Sequence, residues 1–189
     1  MVDKNQLTEI RWHGRGGQGS VTSAELLARA AISEGKYAQA FPAFGPERRG
    51  APVLAFDRIS TREPIRVRAE ITRPDVVVVL DPTLLRVMNV TSGLKEKGIL
   101  VINTKRTLQD IGSEFGAEWQ LAVVDALTIA RELLGVPIVN TTMLGALLRA
   151  TGVVEMESLV EPLKERFDRL ADRNINAMKK AFEETVLKE

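Results

Sequence analysis

Closely spaced glycines near residue 16 have the composition of a phosphate-binding loop. Gly14, Gly16 and Gly19 fit the pattern G-x-G-x-x-G within RWHGRGGQGSVTSAELLARAA. The preceding stretch, EIRWHG, is typical of a short strand, and apolar residues recur at helical spacing after the glycines. At such a strand–loop–helix junction, small residues let a phosphate approach the backbone, and the first N–H groups of the helix are free to bind it. The candidate contacts are Arg15, Gly16, Gly17, Gln18, Gly19 and Ser20.

The acidic residue of a dinucleotide site is missing from its usual position. In NAD-binding folds, an Asp or Glu about 20 residues beyond the glycines binds the ribose hydroxyls from the end of the second strand. Here that region reads Gln39-Ala40-Phe41. NADP stays open as an alternative, because an arginine can meet its 2′-phosphate. A further alternative is a tight turn that only lets the helix pack on the strand.

A second candidate segment is FGPERRGAP, in which Arg48 and Arg49 lie between Gly-Pro and Gly-Ala-Pro. A guanidinium binds phosphate or carboxylate in a fork, and a rigid loop loses little entropy on binding. The alternative is a surface loop whose arginines pair with Glu47 or with a neighbouring subunit. Loops beyond the carboxyl ends of parallel strands converge on one crevice. Because both loops follow strands, Arg48 and Arg49 are further candidate phosphate contacts.

Other polar residues at predicted element ends favour structural roles. His13 ends the first strand without an identifiable partner, so we expect it to be packed in the sheet. Asp81 and Asp125 each end a buried strand, and Asp81 precedes Pro-Thr, which predicts a cap on the next helix. Residues 140–142, Asn-Thr-Thr, begin a helix and are explained by capping. The apolar residues that follow are assigned to the core or to a subunit contact, and no catalytic residue is predicted.

The composition excludes several classes of function. The 189 residues include no cysteine and one histidine, which excludes disulfides, thiol nucleophiles, cysteine-ligated iron–sulfur clusters and multi-histidine metal centres in this chain. A net charge of +1 gives no general electrostatic reason to bind nucleic acid or an anionic membrane. No apolar run approaches the roughly 18 residues of a spanning helix. The stretch MVDKNQLTEI lacks an apolar signal core, so we expect a cytoplasmic protein.

Alternating strand and helix patterns predict a single α/β domain over residues 1–189. DVVVVLD, GILVINT and LAVVDA are typical of strands buried on both faces of a parallel sheet, and KYAQAF predicts another strand. VLAFDRI and PIRVRAEI flank residues 60–63 and predict a β-hairpin. The expected fold has three layers: an open, mainly parallel sheet with a Rossmann-like first β-loop-α unit, a β-hairpin insertion and a helical C-terminal tail from about residue 140 to 189.

Four segments together resemble the gamma subunit of 2-oxoacid:ferredoxin oxidoreductases, and most closely that of the pyruvate enzymes. They are EIRWHGRGGQG, YAQAFPAFGPERRGAPV, PDVVVVLDPTLL and NTTMLGALLRATG, and they occur in matching order. The resemblance extends from about residue 9 to about residue 152. Residues 39–52 are its most specific part, because gamma chains of the 2-oxoglutarate enzymes usually lack the form AFPAFGPERRGAP.

This resemblance implies a division of labour between subunits. In the family, thiamine diphosphate with Mg is held by the alpha and beta subunits, and iron–sulfur clusters by the beta and delta subunits. The assembled enzyme decarboxylates pyruvate, reduces ferredoxin and forms acetyl-coenzyme A, and it also runs in reverse as a pyruvate synthase.

The gamma chain that the resemblance implies is a non-redox member of a hetero-oligomer, with alpha, beta and delta partners and no cofactor of its own. Its two loops would contact the phosphates of coenzyme A. The alternative from a different class is a free-standing NAD(P)-binding oxidoreductase.

Overall fold

The glycine loop follows the end of a central strand in a seven-stranded sheet. The computed structural model describes residues 7–43, 50–115 and 118–188. The strands are β1 (Leu7–Arg15), β2 (Tyr37–Pro42), β3 (Pro52–Ser60), β4 (Val76–Val79), β5 (Ile99–Asn103), β6 (Gln120–Val124) and β7 (Val186–Lys188), in the spatial order β2-β3-β1-β4-β5-β6-β7.

The pairing of the strands makes this a mixed, mostly parallel sheet. Strands β1, β4, β5 and β6 pair in parallel with their neighbours. Strand β3 is antiparallel to both β1 and β2, and β7 is antiparallel to β6. Five of the seven strands therefore run in one direction. The three β-branched runs of the sequence form the buried strands β4, β5 and β6, which confirms the predicted α/β class.

Helices cover both faces of the sheet. They are α1 (Ser20–Ser33), α2 (Leu84–Val87), α3 (Leu108–Phe115), α4 (Ala126–Leu134), α5 (Asn140–Thr151), α6 (Val160–Phe167) and α7 (Ala171–Glu184). The larger core, which includes Trp12, Leu27 and Leu147, lies on the face covered by α1 and α4–α7. The opposite face carries a second cluster beneath α2 and α3. A small third cluster joins Phe41 and Phe56 to Ile71.

The predicted hairpin around residues 60–63 is wrong in its position. Residues 64–71 form no strand, although β3 lies where the sequence predicts it. Both hydrogen-bonding edges of β3 are occupied, one by β1 and the other by β2, so no edge is left for the second arm. The antiparallel pair inserted in this sheet is instead β2–β3. Residues 61–75 cross the sheet face as an irregular segment, with Ile71 buried.

The helical C-terminal segment is confirmed, with two corrections. It ends in β7, which covers the outer edge of β6 and so removes an exposed sheet edge. Helix α5 is buried from Asn140 to Leu148, so its apolar residues belong to the core, one of the two places expected for them, and the helix is not a peripheral tail. A Cβ at Gly145 would lie 2.0 Å from the Met178 carbonyl oxygen, so the close packing of α5 on α7 requires glycine there.

Within residues 7–43, 50–115 and 118–188, no helix has the length and apolar character needed to cross a membrane.

Candidate functional site

The glycine loop connects the end of β1 to the start of α1, as predicted. Gly17 and Gly19 have φ angles of 92° and 83°, in the left-handed region that glycine adopts at little cost. The Gly16 N–H donates to the Ala51 carbonyl at 2.9 Å, and the Gly50 N–H donates to the Gly16 carbonyl at 3.2 Å. The loop is therefore held against the chain that enters β3.

An open cleft of about 270 Å³ lies over this loop. The first N–H groups of an α-helix have no partner within the helix, and they carry a partial positive charge. In α1 these groups belong to residues that border the cleft, which suits a phosphate-sized anion. The residues lining the cleft are Arg15, Gly16, Gly17, Gly19, Ser20, Val21, Thr22 and Val53.

Arg15 connects three segments around the cleft. Its Nε lies 3.0 Å from Asp81 Oδ2, its Nη2 donates to Thr83 Oγ1 at 2.8 Å and its Nη1 donates to the Gly50 carbonyl at 3.1 Å. These contacts use one N–H on each nitrogen of a guanidinium that has five, so each terminal nitrogen keeps one donor. The side chain remains 28% exposed and can reach a ligand while holding the loop.

Gln18 supports the loop from within. Its Oε1 accepts from the Arg15 backbone N–H at 2.8 Å, and its Nε2 donates to Asp81 Oδ2 at 3.0 Å. Both polar ends of the side chain are thus engaged in the loop. Of the predicted phosphate contacts, Gln18 therefore stabilises the loop but does not line the cleft.

Asp81 is the acceptor on which this arrangement depends. Its Oδ1 accepts from the Thr83 N–H at 2.9 Å and from the Thr83 hydroxyl at 2.6 Å. Thr83 is the N-cap of α2, so Asp81 holds the turn before this helix and is not the cap that the sequence predicted. Burial alone would raise the pKa of Asp81. Hydrogen bonds from Thr83 and Gln18, with the charge of Arg15, outweigh burial and lower that pKa below its ordinary value. The ionised carboxylate therefore joins the turn after β4 to the glycine loop.

The start of α5 packs directly behind the glycine loop. Ser23 Oγ lies 3.1 Å from the Gly19 carbonyl and 3.2 Å from the Asn140 carbonyl. A Cβ at Gly19 would lie 2.7 Å from Asn140 Nδ2, so glycine is required there on steric grounds as well. Ser20 Oγ is buried and has no hydrogen-bond partner in the described part of the chain. A Cβ at Gly14 would lie 2.1 Å from this oxygen.

Asn140 was missed as a neighbour of the site, because its sequence context indicated only capping. The capping prediction is wrong, because the N-cap of α5 is Val139 and Asn140 is already the first residue of the helix. Asn140 Oδ1 accepts from the Thr141 N–H at 2.9 Å, and the Thr141 hydroxyl donates to Asn174 Oδ1 at 2.9 Å. No local pattern indicates that residues 19 and 140 are in contact. Asp125, by contrast, caps α4 through Oδ1 and the Thr128 N–H at 3.1 Å.

Arg48 and Arg49 lie outside the described residues. The residues that follow them, Gly50 and Ala51, are hydrogen-bonded to Gly16. The segment FGPERRGAP therefore ends beside the glycine loop, as convergence at the carboxyl edge of the sheet predicts.

His13 lies outside the cleft and is packed in the sheet, as predicted. It is 2% exposed, and Arg11 Nε donates to its Nε2 at 3.0 Å. Burial, together with the charge of Arg11, lowers the pKa of His13 to about 3. A histidine that is buried and neutral at physiological pH does not serve as a general acid or base for a ligand in the cleft.

The topology disfavours a dinucleotide. In a Rossmann fold the ribose-binding acid stands at the end of the strand beside β1. Here β3 occupies that place and runs antiparallel, so the residue opposite Arg15 is Pro52 at the start of the strand. The parallel strand β2, which follows α1 in the chain, lies one place further out and carries no acid.

Comparisons with known proteins identify the family. The family model for pyruvate ferredoxin/flavodoxin oxidoreductase matches residues 9–184. The chain belongs to this family. It is 54% identical over 185 residues to the pyruvate/ketoisovalerate oxidoreductases common subunit gamma of Thermococcus litoralis. The alignment covers 97% of this chain and 100% of that protein.

Two solved structures of oxidoreductases have a similar fold. The crystal structure of pyruvate oxidoreductase subunit PORC from Thermotoga maritima is similar at a TM-score of 0.85 and 40% identity, covering 98% of this chain and 100% of that one. A 2-oxoglutarate:ferredoxin oxidoreductase from Magnetococcus marinus contains the same fold at a TM-score of 0.76 and 19% identity. That match covers 94% of this chain and 30% of the other. Family membership and topology together disfavour a free-standing NAD(P)-binding enzyme.

Proposed function

We propose that this chain is the gamma subunit of a cytoplasmic 2-oxoacid:ferredoxin oxidoreductase that acts mainly on pyruvate. The complex oxidatively decarboxylates the 2-oxo acid, reduces ferredoxin and forms the acyl-coenzyme A. Alpha, beta and delta subunits hold the thiamine diphosphate, Mg and iron–sulfur clusters. The Thermococcus relative is named as a subunit common to two oxidoreductases with different 2-oxo acids. A shared subunit of that kind suits a task that both reactions have in common, and coenzyme A is their common acceptor.

The observation that carries this role is the cleft over the glycine loop. Its backbone donors suit a pyrophosphate, and it has no ribose-binding acid to select a dinucleotide. Coenzyme A carries a pyrophosphate and a 3′-phosphate, which call for positive charge beyond neutral N–H groups. Arg48, Arg49 and the free donors of Arg15 supply that charge in the proposal. The Magnetococcus structure, which has the same fold, was solved with coenzyme A and succinyl-CoA bound.

Gly17→Asn tests this role in the assembled oxidoreductase. A Cβ at Gly17 meets no atom within 4 Å, and asparagine tolerates a positive φ better than most residues, so the variant adds a side chain to the lining of the cleft at a modest cost in backbone strain. We expect the KM for coenzyme A to rise at least tenfold, while the KM for pyruvate stays the same. Loss of a charge-assisted contact worth roughly 1.5–3 kcal/mol corresponds to about ten- to hundredfold weaker binding, so Arg48→Ala and Arg49→Ala should give a similar change.

Gly35→Asn is the matched control. Gly35 also has a positive φ, of 78°, and an open Cβ direction, but it follows the far end of α1. This variant should keep the wild-type KM for coenzyme A. If Gly17→Asn and both arginine variants assemble and retain wild-type coenzyme A dependence, the two loops are structural and the proposed contact is wrong.

A further inference from the structure

Residues 64–68 have a strand-like sequence but no strand partner in the described structure. They belong to the predicted hairpin arm PIRVRAEI and run without turn or bend. Gln39 Nε2 donates to the Ile65 carbonyl at 2.9 Å, and Arg58 Nη1 donates to the Val67 carbonyl at 3.1 Å. Carbonyls two residues apart that point the same way indicate an extended chain. One edge of this segment is therefore fixed to side chains of the sheet.

The other edge of the segment is open. In an extended chain the N–H and C=O groups of successive residues point to opposite sides, so those of Arg66 and Arg68 point away from the Gln39 and Arg58 contacts. No hydrogen bond among the described residues uses the backbone N–H of Arg66 or Arg68. Both residues are exposed, and Val67 between them is 59% exposed. Such an edge is a template for pairing with another chain.

The charges around this segment indicate what its open edge accepts. Residues 62–67 line a cleft of about 510 Å³ together with the start of β1 and the end of β3. Arg62 and Arg66 line it, and neither guanidinium forms an ion pair with a described carboxylate, whereas Arg58 in the same cleft is paired with Glu9 at 2.9 Å. Residues 62–68 carry three arginines and one glutamate. Exposed apolar groups, including Leu7 and Val67, complete the lining.

We propose that residues 64–68 bind an extended, acidic segment of another protein subunit by strand addition. The backbones of Arg66 and Arg68 provide the hydrogen-bond ladder, and Arg62 and Arg66 pair with carboxylates of the incoming segment. This inference rests on the proposed function, because the partner is another subunit of the same oxidoreductase. The surface lies at the opposite end of β1 from the glycine loop, about 25 Å away at the rise of a strand.

Hydrogen exchange measured by mass spectrometry tests the surface without any mutation. The chain alone and the complex purified after co-expression with its partner subunits are compared. The backbone amides of residues 65–68 should exchange at least tenfold more slowly in the complex, since Pro64 has no exchangeable N–H. If the complex forms and these amides exchange as fast as in the isolated chain, the inference is wrong and the proposed function stands. If folded partners never assemble with the chain, both are wrong.

A charge-reversal pair tests the chemistry of the partner. Arg62→Glu combined with Arg66→Glu should reduce the yield of assembled complex at least tenfold, with the circular dichroism of the isolated chain unchanged. The matched control is Arg169→Glu combined with Arg173→Glu, which should assemble normally. Both arginines are exposed, Arg169 just before α7 and Arg173 in its first turn. Equal yields from both double variants contradict the inference. A second result would also contradict it: the isolated chain dimerises as its concentration rises, and only Arg62→Glu with Arg66→Glu abolishes the dimer. The protein bound at residues 64–68 would then be a second copy of this chain.

Discussion

The two faces of β1 bury ionisable side chains of opposite kinds. Under α1, the Trp12 indole N–H donates to Asp57 Oδ2 at 2.6 Å, and Asp57 is fully buried. Burial raises the pKa of Asp57 well above its ordinary value, and the hydrogen bond from Trp12 offsets only part of this rise. On the opposite face, burial and the charge of Arg11 lower the pKa of His13 to about 3. Burial thus favours the neutral form of both groups, the protonated carboxyl of Asp57 and the deprotonated imidazole of His13.

This difference makes the two faces respond to pH in opposite directions. Asp57 has a folded pKa above its unfolded value of about 3.9, so its contribution to stability is complete at low pH and is lost as pH rises above that value. His13 has a folded pKa of about 3, below its unfolded value, so its contribution is complete above about pH 6.5 and is lost as pH falls towards 3. Between about pH 4 and 6.5, the slope that His13 gives to the free energy of unfolding against pH is therefore opposed in sign by the slope that Asp57 gives while it titrates.

Replacing Arg11 should have the largest effect on stability. Its guanidinium donates to His13 and to the carbonyls of Ile71, Val90 and Ser92, so it fixes two irregular segments to the sheet. Arg11→Met leaves these four acceptors without a partner, each at a cost of about 1 kcal/mol, and we expect a total loss of about 3–5 kcal/mol in urea unfolding.

The control for this variant is Arg29→Met. Arg29 is a half-exposed residue paired with Glu165, and a surface pair of this kind is worth about 1 kcal/mol or less. If Arg11→Met and Arg29→Met lower the free energy of unfolding by similar amounts, the buried hydrogen bonds of Arg11 contribute no more than a surface ion pair, and the prediction is wrong.

Asp57→Asn should remove one of the two opposing slopes. Asparagine keeps an acceptor for Trp12 but cannot ionise. Relative to wild type, the free energy of unfolding should then rise with pH between 4 and 6.5 by up to about 1.4 kcal/mol per pH unit, because the His13 slope is no longer opposed. Urea titrations at half-unit pH intervals measure this slope. Asp172→Asn, at an exposed carboxylate, is the control and should leave the plot of unfolding free energy against pH parallel to that of wild type. A parallel plot for Asp57→Asn would mean that Asp57 is ionised in the folded protein, and the prediction would be wrong.

His13→Gln should give the opposite slope over the same range. Glutamine keeps an acceptor for Arg11 and does not titrate, so the free energy of unfolding relative to wild type should fall with rising pH between 4 and 6.5. In the double variant Asp57→Asn with His13→Gln the two opposite changes in slope should offset each other, so its net change from wild type is the smallest expected. A double variant that keeps the slope of either single variant would show that only one of the two faces titrates.

Local sequence patterns predict much of the fold, but they do not predict most of the contacts that hold the glycine loop in place. The β-branched runs of β4–β6 and the glycine spacing after β1 are short-range signals, and both give the observed elements. The ion pair of Arg15 with Asp81 joins residues 66 apart, so it depends on which strand lies beside β1. The contact between Asn140 and Gly19 also joins distant parts of the chain, so no local pattern predicts it. The segment PIRVRAEI has the pattern of a strand, and only the occupation of both edges of β3 excludes it from the sheet.

The central position of β1 also affects how the chain is made. Its contact with β3 through Trp12 and Asp57 joins residues 45 apart, and its partner β4 lies further along. At a synthesis rate of about 5–20 residues per second, β1 waits on the order of seconds before either neighbour exists. An apolar strand with two open edges would be prone to aggregation during that delay. The alternating side chains Glu9, Arg11, His13 and Arg15 make one face of β1 polar, and charges of this kind protect a nascent strand until its partners arrive.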